Sequence, residues 1–177
     1  MAQNAKQKSR EYFNSHRKSR LAHGGYWRHD YRCQLEAIGR IMPDRLIDIG
    51  CGPGAFLSLV KETFPDIQLN ALDLSEEMIH ETRERLSNTA IATVGDSENM
   101  PLKSEQYQVV TCNMSIHHYP HPQDAVNEMF RILKPGGDVK MYSQEETEGM
   151  VRSAGFQKIQ YRKTSPFSFQ CISEKAR

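Results

Sequence analysis

The sequence lacks any apolar run that approaches the ~18 residues needed to cross a bilayer. Its first residues also lack the apolar core of a secretory signal peptide. Four cysteines, Cys33, Cys51, Cys112 and Cys171, stand far apart without a CxxC pair. This arrangement is typical of reduced thiols rather than of a disulfide framework or a zinc site. We therefore expect a cytoplasmic protein with no transmembrane segment and no metal site.

The chain also lacks a strong net charge, because 23 Lys and Arg residues oppose 22 Asp and Glu residues and leave +1. Net charge therefore gives no argument for a polyanionic partner such as nucleic acid. Basic residues are nevertheless concentrated in residues 1–32, where only Glu11 and Asp30 oppose them. A solvated helical face explains this concentration more simply than a membrane or nucleic-acid patch does.

The pattern of the chain changes near residue 43. Residues 1–43 are polar and basic, with only loose helical periodicity. From Arg45 onward, short apolar runs alternate with helical patterns at regular intervals, which predicts βα units on a parallel sheet. We expect an α/β fold with a doubly wound, mostly parallel sheet over 44–177 and an N-terminal helical lid or cap over 1–43. The predicted strands cover 45–49, 67–72, 90–94 and 107–114.

The tail of the chain carries further local signals. The turn Lys134–Gly137 predicts the end of a helix, since Gly and Pro interrupt helical geometry. Ser143 and Glu146 form a capping box, which predicts that a helix starts at Ser143. Residues 156–163 and 166–173 alternate in polarity and predict a closing antiparallel strand pair.

A glycine-rich turn, "GCGPGA", follows the first predicted strand at residues 50–55. It satisfies the pattern G-x-G-x-x-[GA], which fits dinucleotide sites but also recurs by chance. By itself the turn is compatible with a dinucleotide, a nucleoside, or no ligand at all, as a tight connection in a core.

Three carboxylates follow the predicted strands in step. Asp48, Asp73 and Asp96 stand one βα unit apart, at or near the carboxyl ends of successive strands. Ligands of open parallel sheets bind at that edge, although an aspartate there can also cap the next helix. Asp73 is placed to accept ribose hydroxyls and Asp96 to accept an adenine amine. Asp48 favours a cationic group and would repel a pyrophosphate, which counts against a dinucleotide.

Four motifs in order extend this pattern: "LIDIGCGPG", "LDLSEEMI", "GDSENMPLKSEQYQVVTCNMSIHHY" and "RILKPGG". Together they resemble class I S-adenosylmethionine-dependent methyltransferases, most closely the small-molecule group that includes quinone-type enzymes. The resemblance covers Arg45–Gly137 and implies a Rossmann-like methyltransferase fold. It also implies in-line transfer of a methyl group to a small acceptor, with S-adenosylhomocysteine as product (EC 2.1.1 type).

The resemblance also implies a set of cofactor-binding residues. The glycine turn would lie under the methionine part, Asp48 near its amino group, Asp73 on the ribose and Asp96 with Ser97 at the adenine. Asn113 would face the methionine or the acceptor. The full set is Asp48, Gly50, Cys51, Gly52, Gly54, Asp73, Leu74, Met78, Asp96, Ser97 and Asn113.

The acceptor side is less well defined. His117 and His118 are candidates for a general base, and the alternative is that they only shape the pocket. The sequence lacks the motifs of enzymes that methylate nucleic-acid bases or glutamine. Their absence favours a small metabolite, lipid-like or aromatic acceptor over nucleic acid. A lid with a hinge at Gly24–Gly25 could carry aromatic residues, although these could equally pack helices onto the sheet. The aromatic set is Tyr12, Phe13, Tyr26, Trp27 and Tyr31.

One departure from the family pattern concerns the fifth strand, for which only Asp138–Tyr142 is left. These residues alternate in polarity, as a strand covered by helices on both faces should not. They are therefore either a shortened fifth strand or the mark of an absent segment. An absent segment would favour a non-catalytic cofactor-binding protein. An NAD-dependent oxidoreductase is a further alternative that the register of Asp48 disfavours. Oligomeric state has no signal in the sequence.

Overall fold

A computed structural model describes residues 2–15, 31–87, 89–143, 147–165 and 168–176. The strands are β1 (Arg45–Ile49), β2 (Gln68–Asp73), β3 (Ile91–Val94), β4 (Tyr107–Asn113), β5 (Leu133–Ser143), β6 (Gln157–Ser165) and β7 (Ser168–Glu174). The helices are α1 (Ala2–Ser15), α2 (Arg32–Ile41), α3 (Ala55–Thr63), α4 (Glu76–Arg85), α5 (Pro122–Ile132) and α6 (Thr147–Ser153), and a short 3-10 helix covers Ile116–His118.

The seven strands form one sheet in the order β3-β2-β1-β4-β5-β7-β6. Strands β1 to β5 run parallel, whereas β7 pairs antiparallel with both β5 and β6. The prediction of a doubly wound, mostly parallel sheet with a closing antiparallel pair is confirmed. The chain order reverses direction between β1 and β4, which is the switch point where such sheets bind ligands.

Helices cover both faces of the sheet because consecutive strand residues point to opposite sides. Ile47 belongs to a core that includes residues of α5 and α6, whereas its neighbour Leu46 belongs to a core that includes residues of α2, α3 and α4. Near-continuous burial of β1 follows from this two-sided cover. The part of the chain that the structure describes contains no helix with the length and apolar character needed to cross a bilayer.

The fifth strand is present and covers Leu133–Ser143, so it is not shortened to the predicted Asp138–Tyr142. β5 pairs with β4 on one side and β7 on the other. Val139 points into the apolar core, and Lys140, which is 2% exposed, lies next to Thr111 of β4. Burial lowers the pKa of Lys140, and the nearby charge of Asp138 opposes that shift. The alternating apolar and polar residues of β5 therefore occur in an interior strand, because the polar residue Lys140 is buried along with Val139.

The helix start predicted from the capping box is also wrong. Ser143 is the last residue of β5 and pairs in register with Phe169 of β7. Its backbone is therefore extended, and the helix α6 begins only at Thr147. Glu146, the other member of the predicted box, lies outside the described residues. Sheet pairing with β7 overrode the local capping signal.

Candidate active site

A cavity of about 490 Å³ opens at the carboxyl ends of β1, β2 and β4. Its size lies within the roughly 300–1,000 Å³ that is usual for small-molecule sites. Asp48, Asp73 and Asp96 all line it, so the acids that stand one βα unit apart in the sequence do meet in space. Capping alone therefore does not account for the three of them.

The glycine turn after β1 forms one wall of this cavity. The N–H groups of Gly50 and Cys51 both donate to the Leu72 carbonyl of β2, at 2.8 and 3.2 Å. Gly50 has φ +67°, and a Cβ there would lie 2.5 Å from the Ser115 side chain. A Cβ on Gly52 would meet nothing within 4 Å, so the backbone at Gly52 borders open space in which a ligand can lie.

Two of the predicted cofactor-binding residues, Gly54 and Met78, do not line the cavity. Gly54 packs against α4 instead, where a Cβ on it would be 2.9 Å from Thr82 Oγ1. Met78 is 1% exposed in the first turn of α4, and its N–H donates to Oγ of the N-cap residue Ser75 at 3.2 Å. Both residues support the helices that hold the site.

Asp48 is the most deeply buried of the three acids, at 1% exposure. Its Oδ1 accepts hydrogen bonds from Thr111 Oγ1 at 2.7 Å and from Asn113 Nδ2 at 3.0 Å. Burial raises the pKa of Asp48 to about 7, an effect that the two hydrogen bonds oppose and that the charge of Asp73 reinforces. A cationic group in the cavity would therefore favour the ionised form.

Asn113 supplies a second polar group beside Asp48. Its amide nitrogen is used on Asp48, while its buried Oδ1 has no hydrogen-bond partner among the residues that the structure describes. A buried carbonyl left in this state is destabilising by about 1–3 kcal/mol. A ligand that brings an N–H donor to this wall would remove that penalty.

Asp73 ends β2 and joins two loops. Its Oδ2 accepts from the Gly52 N–H at 2.9 Å, and its Oδ1 accepts from the Ser75 N–H at 2.9 Å. These bonds hold the carboxylate at the rim of the cavity, where Leu74 also lies. The carboxylate is thus oriented before any ligand arrives.

Asp96 is held within the tight turn after β3. Its Oδ1 accepts from the Glu98 N–H at 2.9 Å, and its Oδ2 pairs with Lys6 Nζ at 2.6 Å. Ser97, which is 9% exposed, lines the cavity next to it. Both oxygens of Asp96 are therefore engaged, one of them by a residue from the start of the chain.

Helix α1 lines the cavity within the segment for which the sequence predicted a lid or cap, but its ion pairs were not predicted. Lys6 and Arg10 were interpreted as part of a solvated face, yet Lys6 pairs with Asp96 and Arg10 pairs with Glu76. The four-residue spacing of Lys6 and Arg10 on one helix face was the available signal. The cavity-lining residues of α1 are Lys6, Ser9, Arg10, Tyr12 and Phe13.

The wall after β4 carries the two histidines. The rings of His117 and His118 lie 4.0 Å apart between centroids, and Phe13 of α1 approaches His118 edge-on at 5.2 Å. Partial burial lowers the pKa of His117, which favours its neutral, proton-accepting form. Of the predicted lid aromatics, Tyr12, Phe13 and Tyr31 line the cavity.

The other members of the predicted lid, Tyr26, Trp27 and the hinge Gly24–Gly25, lie outside the described residues. Two residues of the wall were not predicted at all. Tyr119 Oη donates to Ser115 Oγ at 3.0 Å, and Ser115 Oγ donates to the Ile49 carbonyl at 3.0 Å. This chain of hydrogen bonds ties the histidine wall to the end of β1.

The chain is similar to known methyltransferases in sequence. A family model described as "Methyltransferase domain" matches residues 47–141. The chain is 36% identical over 93 residues to a malonyl-[acyl-carrier protein] O-methyltransferase of Enterobacter lignolyticus, a match that covers 52% of this chain and 36% of that protein. It is 32% identical over 98 residues to a ubiquinone/menaquinone biosynthesis C-methyltransferase of Cereibacter sphaeroides, covering 52% and 39% respectively. The matched part is thus little more than a third of each relative's length.

Solved structures share the fold. A S-adenosylmethionine-dependent methyltransferase of Thermotoga maritima superposes with a TM-score of 0.75 at 21% identity, covering 95% of this chain and 99% of that one. Human N-acetylserotonin methyltransferase, solved in complex with S-adenosylmethionine, superposes with a TM-score of 0.73 at 17% identity and covers 89% and 55%. At these identities the likeness concerns the architecture.

Proposed function

The chain belongs to the methyltransferase domain family, and from this premise we propose that it transfers a methyl group from S-adenosylmethionine to a small-molecule acceptor. The observation that carries the proposal is the meeting of Asp48, Asp73 and Asp96 with the open backbone of Gly52 in one cavity. An NAD-dependent reaction is disfavoured, because Asp48 lines the cavity next to the glycine turn and its carboxylate would repel a pyrophosphate there.

The residues present fit this cofactor. Asp48 and the unpaired Oδ1 of Asn113 would receive its ammonium group, with Gly50, Cys51 and Gly52 beneath the methionine part. Asp73 would accept from the ribose, beside Leu74, and the turn at Asp96 and Ser97 would meet the adenine. The cofactor supplies a methyl group that its sulfonium already activates. The chain contributes orientation and exclusion of water.

The acceptor would lie against the histidine wall. Phe13, which contacts His118, and Tyr12, which contacts Phe13, give this side of the cavity an aromatic character, which suits an aromatic or lipid-like acceptor. The curated relatives are named for malonyl-[acyl-carrier protein] and for ubiquinone and menaquinone biosynthesis, which supports a metabolite rather than a nucleic acid.

Calorimetric titration tests the cofactor assignment. We expect the chain to bind S-adenosylmethionine and S-adenosylhomocysteine, and to show no heat with NAD. Binding of NAD without either sulfur compound would refute the proposal. Methyl transfer to a panel of quinols, phenols, amines and acyl-carrier-protein thioesters then separates an enzyme from a protein that only binds the cofactor.

We further propose that His117 is the general base for an acceptor that loses a proton. Replacing His117 with glutamine should lower kcat by about 100-fold or more, since positioned bases contribute on that scale, while the cofactor Kd stays unchanged. Because burial lowers the pKa of His117, the acid limb of the wild-type rate profile should fall below pH 6.5 and vanish in the variant. His80→Gln, at an exposed position of α4 that does not line the cavity, is the matched control. A rise in KM with unchanged kcat for His117→Gln would show that this residue only shapes the pocket.

A further inference from the structure

Helix α1 is tied to the cofactor edge of the sheet by charged and polar pairs. Lys6 Nζ lies 2.6 Å from Asp96 Oδ2 and 2.6 Å from Glu98 Oε2. One turn further on, Arg10 pairs with Glu76 at the start of α4. These contacts join a helix at the beginning of the chain to the turns that follow β2 and β3.

Glu98 carries the connection beyond Lys6. While its Oε2 pairs with Lys6, its Oε1 accepts a hydrogen bond from the His121 N–H at 2.8 Å. The Glu98 side chain is only 5% exposed, so loss of Lys6 would leave a buried carboxylate without its counter-charge, whereas Lys6 itself is 25% exposed and within reach of salt. The Glu98 carboxylate thus contacts both α1 and the start of α5.

A second contact links the same two parts of the molecule. Phe13 of α1 meets the ring of His118, which in turn packs against His117. Helix α1 therefore reaches the segment 116–121 twice, once through Lys6 and Glu98 and once through Phe13. The cavity lies inside this ring of contacts, bounded by α1 on one side and by Asp96 and the histidines on the other.

The two ion pairs of Lys6 bear on how a ligand enters and leaves the cavity. With Lys6 Nζ 2.6 Å from Asp96 Oδ2, α1 is held against the Asp96 side of the cavity. We propose that the pairs of Lys6 with Asp96 and Glu98 form a latch, which must open to admit or release the cofactor and which, when closed, positions the histidine wall through Glu98 and His121. In this arrangement Glu98 is a positioning residue. Through it, binding of adenine beside Asp96 affects the position of the histidine wall, where the acceptor would lie. The inference rests on the proposed function, which identifies the ligand.

Release of S-adenosylhomocysteine from the 177-residue chain tests the latch without requiring turnover. Lys6→Met keeps most of the side-chain length and removes the charge, so we expect dissociation to become about tenfold faster. Raising sodium chloride from 50 to 500 mM should speed release from the wild type but not from the variant. Glu98→Gln should behave as Lys6→Met does, and Lys6→Arg should restore slow, salt-sensitive release. Lys8→Met, on an exposed position of the same helix, is the matched control.

Hydrogen exchange gives a second readout. Bound S-adenosylhomocysteine should protect the amides of α1 in the wild type and much less in Lys6→Met. If the wild type binds the compound but Lys6→Met and Glu98→Gln release it at the wild-type rate, the latch is overturned and the proposed function stands. If the wild type binds neither sulfur compound, both are overturned.

Discussion

Replacing Asp73 with alanine should weaken binding of S-adenosylmethionine by about 10- to 150-fold. Hydrogen bonds to a charged group contribute about 1.5–3 kcal/mol, and each 1.4 kcal/mol is a factor of ten in affinity. The effect should be this large because Asp73 is already oriented by the N–H groups of Gly52 and Ser75, so no ordering of the carboxylate is needed on binding. Calorimetric titration of both proteins measures it directly.

Controls must separate ligand contact from support of the two loops. Asp73→Asn retains an acceptor oxygen for a backbone N–H and should lie between the wild type and the alanine variant. Asp66→Ala removes an acid of the same type from an exposed turn and should leave affinity unchanged. Thermal unfolding of each variant without ligand reports any loss of loop stability. Wild-type affinity in Asp73→Ala would contradict the assignment of Asp73 to the ribose.

The second large effect concerns the pH dependence of stability through Asp48. Burial raises the pKa of Asp48 from 3.8 to about 7, so the unfolded chain releases this proton at lower pH than the folded chain does. The stabilisation from the protonated form is complete below pH 4 and is lost as pH rises from about 4 to about 7. Each pKa unit is worth about 1.4 kcal/mol, so the loss is at most about 4 kcal/mol.

Asp48→Asn isolates this contribution. The amide oxygen can still accept from Thr111 and Asn113, but it does not titrate. The free energy of unfolding of Asp48→Asn, minus that of the wild type, should therefore increase between pH 4 and pH 7 and stay level above pH 7. Urea unfolding at half-unit pH steps measures this difference. A difference that does not change with pH would show that Asp48 is ionised in the folded chain throughout this range.

The affinity for S-adenosylmethionine should also depend on the protonation state of Asp48, but it should increase as pH rises. An ammonium group favours ionised Asp48, so wild-type affinity for S-adenosylmethionine should fall about tenfold from pH 8 to pH 6. Asp48→Asn should bind more weakly at pH 8 and lose this pH dependence. Calorimetry in two buffers of different ionisation enthalpy would also detect the proton released on binding. Equal wild-type affinity at pH 6 and pH 8 would contradict the assignment.

Much of the donor side could be predicted from local patterns. Apolar runs with the length of strands end near Asp48, Asp73 and Asp96, and parallel strands bring such ends to one edge. Gly50 could be identified because its turn requires positive φ and leaves no room for a side chain. These signals depend on residues close together in the chain, which is why they survive without knowledge of the packing.

Other features depended on contacts between distant residues. Lys6 and Asp96 stand 90 positions apart, and nothing near either residue indicates the pair. The capping box at Ser143 was a sound local signal, but pairing with β7 extended the backbone instead. Alternation in β5 suggested a missing segment, whereas the fold accommodates the strand by burying Lys140.

The sequence by itself determined the architecture, the glycine turn and the three acids of the donor site, because strand periodicity and turn chemistry are properties of neighbouring residues. Only the tertiary structure decided that Lys6 of α1 engages Asp96 and Glu98, and that Gly54 and Met78 support helices instead of lining the site. It also decided the pKa of Asp48, since burial is a consequence of how the whole chain packs around one carboxyl group.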